Sequence, residues 1–503
     1  MRGNFVCRSC RKHLLLKSPR RKFSATVYQR ADDLHPSIAP KPVIDIKHIR
    51  QNPGLYEYNC KQRNYERQAS NSWRILELFE QWQDLQKNSR SLREENNRLQ
   101  RELGSSMGDG LDGKRSEGPV DREAVLVQAK ELKQRLSQIE EQEAQYSSEM
   151  QDLALQLPNL SSKETPEGAE FTVIGHINDH PEPKPASSDR VWRSHVHIGS
   201  ELDILDFAAA ANTSGWGWYF LTNEAALLEQ ALIQYAFSVA RKRGWRVVAP
   251  PSVVYSHIAT ACGFRPRDQN DEQQIYKIEQ PEKDQSKPEL CLAGTAEIPL
   301  AGMKANSVLE EEDLPLKVVG VSRSYRAEAG ARGVDTKGLY RVHEFTKVEM
   351  FAWTKPDEEG VSYSQDIFDE MVSIQKEILA SLGLHCRILE MPTTDLGASA
   401  SRKQDIEAFF PSRRERDDGW GEVTSTSICT DYQSRRLATR MRTSNKKGRK
   451  LDWPHTVNGT AIAVPRVLAA ILENGWDESQ NEVKIPPVLR PWMDGLDVIK
   501  RKI

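Results

Sequence analysis

Residues 318–353 read VVGVSRSYRAEAGARGVDTKGLYRVHEFTKVEMFAW, and the fold turns on this stretch. Val318 to Tyr325 has the apolar content of a buried strand. The small, turn-prone run from Arg326 through Glu328, Gly330, Arg332 and Gly333 reads as a loop, which Gly338 closes. Leu339 to Trp353 then reads as a second strand. On it, Arg341, His343, Phe345, Lys347, Glu349 and Phe351 share one face, and Val342, Glu344, Thr346, Val348 and Met350 share the other. A strand-loop-strand hairpin therefore gathers arginines, carboxylates and an aromatic ring on one side. Guanidinium forks suit phosphate or carboxylate, and a ring offers a base a stacking platform. A surface hairpin with ordinary ion pairs also fits the charges, so residue chemistry alone leaves both readings open.

Working outward, Gly421 to Ser427 reads as a further strand carrying Glu422, Thr424 and Ser425. Eight basic residues with no acid follow within 435–450. They are a candidate RNA-facing stretch or a solvated loop. His455 to Thr460, including Asn458 and Gly459, reads as a polar loop before a helix with Pro465 in its first turn. Arg466 then sits near a helix start, where an anion is favoured. Upstream, Asn223 is read as the cap of a helix that Gly244 stops, and Arg246 to Ala249 as a short strand ending at Pro250-Pro251. The chain has no GxxxxGK[ST] motif and no protein-kinase motif set, which disfavours those two nucleotide folds.

The 503 residues suggest about three domains. Hydrophobic residues make up 38% and charged residues 28%, ordinary for a globular protein. No run approaches the roughly 20 apolar residues that span a bilayer, so integral membrane association is not expected. Net charge is −2, but unevenly spread. Residues 1–31 hold nine basic residues and no acid, leaving 61 basic against 72 acidic residues in the remainder. Global charge therefore supplies no attraction for nucleic acid. The leader resembles a matrix-targeting presequence, which implies a mitochondrial, matrix location. A basic tail is the plain alternative. Seven Cys make no disulfide scaffold, and the single Cys7–Cys10 pair is weak evidence for zinc.

From Ile75 to Leu103 and again from Val125 to Leu157, apolar residues follow 3-4 spacing, separated by a Gly-rich stretch at 104–119. Ser89, Asn96 and Glu143 interrupt the seam. Two helices of similar length joined by a flexible tip predict an antiparallel coiled coil, an arm of about 45 Å. A spacer or dimerisation coil fits the same pattern. Residues 1–31 are thus read as the presequence, 42–160 as an N-terminal domain with the helical hairpin, 161–200 as a linker entering the catalytic region, and 201–503 as the catalytic domain.

The ordered motifs resemble those of seryl-tRNA synthetases, a class II aminoacyl-tRNA synthetase family, over residues 42–494. Pro251 matches the end of class II motif 1. Tyr325 to Gly330 together with Arg341 to Glu349 matches motif 2. Asn458-Gly459-Thr460 through Arg466 matches the motif 3 region. Thr295-Ala296-Glu297 resembles the serine-binding loop. The resemblance implies an α+β fold, an antiparallel catalytic sheet flanked by helices, in a homodimer whose arm reaches tRNA(Ser) bound mainly by the partner. It implies formation of seryl-adenylate and pyrophosphate from ATP and L-serine, then transfer of serine to the terminal ribose of tRNA. Arg326 is implied to bridge the α-phosphate and the serine carboxylate. Arg341 and Arg466 would hold the distal phosphates, Phe345 would stack on adenine, and Glu328 would face the adenine side. Glu422 and Ser425 would hold Mg2+. Thr295, Glu297, Glu349, Asn458 and Thr460 would contact serine, with Arg326, Glu349 and Arg466 as the catalytic set.

Four positions depart from the family pattern: Thr394 before Asp395, Glu344 before Phe345, Ile428 after Ser427, and Gln404 beside Lys403. The alternative they raise is an RNA-binding paralog without aminoacylation.

Overall fold

The computed structural model describes residues 39–105, 122–179, 193–264, 274–284, 286–328, 338–445 and 448–501. The leader, the tip of the arm beyond Ser105, and Gly330, Arg332 and Gly333 lie outside these residues.

Pro53 divides the first helical segment. It cannot donate a backbone hydrogen bond, so the chain forms α1 (Ile46–Gln51) and α2 (Pro53–Gln62) rather than one helix. The Asp45 carboxylate caps α1 by accepting from the His48 amide at 2.9 Å. The hairpin follows as α3 (Asn71–Ser105) and α4 (Arg122–Gln156), each 35 residues and so about 52 Å long. At its base, Ile75, Leu78, Met150, Ala154 and Leu157 form one buried cluster with Ile49 and Cys60. Farther out, Leu99, Leu132 and Leu136 pack together. Glu143, an interruption in the apolar pattern, meets Arg93 across the hairpin at 2.7 Å. The break in the seam is an interhelical ion pair.

The rest is built on one eight-stranded sheet: β1 (Thr172–Ile177), β2 (Arg246–Val248), β3 (Leu316–Tyr325), β4 (Glu344–Thr354), β5 (Cys386–Glu390), β6 (Arg402–Phe409), β7 (Trp420–Thr430) and β8 (His455–Ala463). Their spatial order is β1-β5-β6-β7-β8-β4-β3-β2. Every neighbouring pair is antiparallel except β2 with β3. Helices α5 (His195–Glu201), α6 (Asn223–Lys242), α8 (Tyr363–Ser381) and α10 (Val464–Gly475) supply buried residues to a core shared with Val348, Met350 and Ile462 of the sheet. Two short helices, α7 (Glu297–Gly302) and α9 (Tyr432–Leu437), contribute Ile298, Leu300 and Leu437 to a second core with Phe351 and Trp353. The alternation along β4 sorts its side chains between these two cores.

Three local expectations are corrected. The second hairpin strand starts at Glu344, not Leu339, and residues 338–343 are bent, irregular backbone. Asn223 is the first helical residue, at φ 48°, and its amide donates to the Asp203 carbonyl instead of capping the helix. The supposed polar loop at 455–460 is β8, held between β7 and β4. Asn, Gly and Thr suggest a turn by composition. Here Gly459 is favoured by close packing, because a Cβ would lie 3.0 Å from Thr426 Oγ1 and 3.1 Å from Met371 Sδ, and both side chains would have to give way.

Candidate active site

The antiparallel pairing of β3 with β4 sets Tyr325 opposite Glu344. Arg326, just past β3, is thereby brought beside the start of β4. Its guanidinium carbon lies 5.2 Å from the centre of the Phe345 ring, and its Nε donates to the Gly294 carbonyl at 3.3 Å. Arg466 enters the same cleft from the first turn of α10. Its Nε donates to the Tyr340 carbonyl at 3.0 Å, and its Nη1 donates to the Glu422 carbonyl at 2.9 Å and carboxylate at 3.1 Å. Arg341 comes from the turn before β4, half-exposed and 3.5 Å from Glu328. Glu328 itself holds a left-handed φ of 48°. These residues, with Lys347, Ser425 and Thr460, line one cleft of about 540 Å³.

Electrostatics match this convergence. Burial and the neighbouring Arg466 lower the Arg326 pKa from its usual value. Burial acts against ionised Glu422, but Arg466, Lys403 and Arg326 outweigh it and hold the carboxyl at about 2. Glu422 is therefore a standing anion in a wall of cations.

The structure separates the remaining candidates into a second layer. Glu349 is 1% exposed; it accepts from Thr460 Oγ1 at 3.1 Å and pairs with Lys347 Nζ at 2.8 Å. Thr295 is equally closed, and its Oγ1 accepts from the Glu297 amide at 3.3 Å. Glu297 is buried and accepts from Gln433 Nε2 at 2.6 Å. Asn458 Oδ1 accepts from Cys429 Sγ at 3.4 Å. Lys347 and Thr460 thus belong to the open cleft and also touch Glu349 behind it. Thr295, Glu297, Glu349 and Asn458 do not line the open cleft.

Sequence reasoning missed roles for Tyr340, Lys347, Lys403 and Gln433. Lys347 shares a face with Glu349 in the period-two pattern, and this was a usable signal. Gln433 had none, because it reaches Glu297 across 136 positions of chain.

Glu422 and Ser425 offer oxygen donors. Among the described residues no group of three or more His, Cys, Asp or Glu could hold a metal. One ionised carboxylate and one hydroxyl fit a hard cation that takes most of its shell from phosphate and water, which is the habit of Mg2+.

Family models match in two blocks. Residues 43–161 match the seryl-tRNA synthetase N-terminal domain, and residues 276–475 match the tRNA synthetase class II core domain (G, H, P, S and T). The mitochondrial serine–tRNA ligase of Schizosaccharomyces pombe is 37% identical, with 95% of each chain covered. That of Saccharomyces cerevisiae is 47% identical over 60% of this chain and 64% of its own length, just under two thirds. A crystal structure of seryl-tRNA synthetase from Pyrococcus horikoshii complexed with ATP is similar at TM-score 0.77 and 31% identity, over 92% of this chain and all of that one.

Proposed function

The chain belongs to the seryl-tRNA synthetases, class II ligases that use ATP to join serine to tRNA(Ser), and from that premise we propose how its own residues divide the work. The observation that carries the reading is the meeting of Arg326, Arg341, Arg466 and Phe345 in one cleft, with Glu349 directly behind it.

The first step is attack by the serine carboxylate on the ATP α-phosphorus, with pyrophosphate leaving. A carboxylate needs no deprotonation at neutral pH, so orientation and charge neutralisation carry the catalysis. Arg326 bridges the α-phosphate and the serine carboxylate, and its ring partner Phe345 stacks on adenine. Glu328 faces the adenine side. Arg341 and Arg466 hold the distal phosphates. Glu422 and Ser425 would hold Mg2+, which would neutralise phosphate charge. Glu349, Glu297, Thr295, Asn458 and Thr460 receive the amino acid. In the second step, a terminal ribose hydroxyl of tRNA(Ser) attacks the activated carbonyl.

The arm of α3 and α4 is the tRNA-binding element in this reading. A homodimer is supported by exposed apolar side chains near motif 1, namely Phe220, Leu227, Val247, Val253 and Tyr255. The basic leader and the names of the two yeast relatives support action in mitochondria, with the matrix as the site.

The deciding experiment is ATP–pyrophosphate exchange with serine, threonine and alanine in parallel. Serine alone should stimulate it strongly. Binding of tRNA(Ser) with no serine-dependent exchange would instead identify an inactive RNA-binding paralog.

A further inference from the structure

We propose that Gln433 is a positioning residue for serine recognition, holding the Glu297 carboxylate ionised and in place. The inference rests on the reading of Glu297 as a serine contact.

Gln433 is completely buried on α9 and does not line the cleft. Both ends of its amide are committed. Nε2 donates to Glu297 Oε1 at 2.6 Å, and Oε1 accepts from Thr456 Oγ1 at 2.7 Å. The acceptor-only Glu297 carboxylate takes the NH2 end, and the Thr456 hydroxyl, which can donate, meets the carbonyl end. An ionised carboxylate can only accept, so this orientation favours the charged form. Packing alone would be served as well by a methionine of similar volume. A buried glutamine bonded at both ends is specific to one arrangement.

The surroundings explain why Glu297 needs such a donor. Glu349 and Lys347 face it from β4, Arg326 from the end of β3, Cys262 from the helix Ser256–Ala261 and its cap, and Cys429 from β7. Burial, then the charge of Glu349, push its pKa up to about 7; Lys347, Gln433 and Arg326 pull the other way. The thiols stay neutral and add no negative charge, because burial raises both of their pKa values. Glu297 is therefore near its balance point at neutral pH.

An incoming serine ammonium needs negative charge that Lys347 does not already neutralise. Ionised Glu297 supplies it; protonated Glu297 does not. Loss of the Gln433 N–H removes stabilisation of the ionised form, so the pKa rises and more of the enzyme is protonated at pH 7. Raising the pH should then restore what the substitution removed. A residue that merely filled space would not behave this way.

The test is the serine KM in pyrophosphate exchange by the full-length enzyme at three pH values from mildly acidic to mildly alkaline, for wild type, Gln433→Met, Thr456→Val and Glu297→Gln. Gln433→Met should raise the serine KM about tenfold at neutral pH, with little change in the KM for ATP, and most of the excess should vanish on the alkaline side. Thr456→Val should show the same trend at about threefold, and it decides the matter alone if Gln433→Met does not fold. Glu297→Gln should be impaired at every pH, with no alkaline recovery. An impaired Glu297→Gln beside an unaffected Gln433→Met, or beside a Gln433→Met defect that ignores pH, overturns the role of Gln433 alone. An unimpaired Glu297→Gln overturns the reading of Glu297, and this inference with it.

Discussion

At the scale of single residues, the cleft is organised by which charges are answered within the protein and which are left for substrate. Glu422 is tied to Arg466 through two contacts, yet its side chain keeps two-fifths of its surface open. Arg326 donates to one carbonyl and lies over a ring face, with no carboxylate paired to it among the described residues, so its guanidinium remains suited to an anion. Arg326→Ala should reduce serine-dependent exchange by roughly a hundred- to a thousandfold, the loss typical when one preorganised transition-state donor is removed. Near-normal exchange would contradict its assigned place at the α-phosphate. Glu422→Gln should raise the Mg2+ concentration needed for half-maximal ATP binding, read by calorimetry without serine. An unchanged Mg2+ requirement would remove Glu422 from the metal site. Because the Glu422 carboxyl is held at about 2, this contribution should not titrate at physiological pH.

At the scale of elements, the turn that returns the chain to β4 is clamped from below. His195 Nδ1 donates to Glu473 Oε1 at 2.8 Å, while its Nε2 accepts from the Leu339 amide at 3.0 Å. Glu473 also accepts from the Ser412 hydroxyl and amide. This buried network lies one residue from Tyr340, whose carbonyl holds Arg466. Gly338 is needed here: its φ is 102°, and an added Cβ would sit 2.3 Å from His195 Nε2. Gly338→Ala should therefore destabilise the protein by about 2 kcal/mol or more, measured by urea unfolding, through strain and overlap together. A change within the scatter of surface substitutions would show that the clamp is not rigid. The arm gives a second prediction at this scale. Its base cluster with α1 and α2 must be left intact. Replacing residues 94–142 by a short glycine linker keeps that cluster and the Arg93–Glu143 pair. Charging of tRNA(Ser) should fall far more than adenylate formation. Equal losses would argue against the arm as the tRNA-binding element.

Legibility also divides by element. The two hairpin strands and the arm were readable because period-two and heptad patterns record which face is buried. Strand β8 was not, since Asn458-Gly459-Thr460 carries turn-like composition while the reason for the glycine is close tertiary packing against Thr426 and Met371. The start of β4 was misplaced because Arg341 and His343 continue the alternation of side chains into a segment that the His195–Glu473 network bends. Arg326, Arg341, Phe345, Glu422 and Arg466 could be named from motifs, and their meeting in one cleft needed the β3–β4–β8–β7 neighbourhood. Gln433 and Thr456 left no trace in sequence, because hydrogen bonds across long separations have no local period.

At the scale of the whole molecule, one cation-lined cleft sits above the closed layer of Thr295, Glu297, Glu349 and Asn458 that we propose receives the amino acid, on a chain that also carries a long helical arm. Discrimination should follow from that closed layer. Alanine leaves its hydroxyl-binding groups unpaired, a larger penalty than an extra methyl group imposes on threonine. Pyrophosphate exchange measured side by side with serine, threonine and alanine tests this most directly. Strong stimulation by serine, weaker stimulation by threonine and the weakest by alanine is the expected result; no serine-dependent exchange from folded enzyme, or equal stimulation by all three, would contradict it.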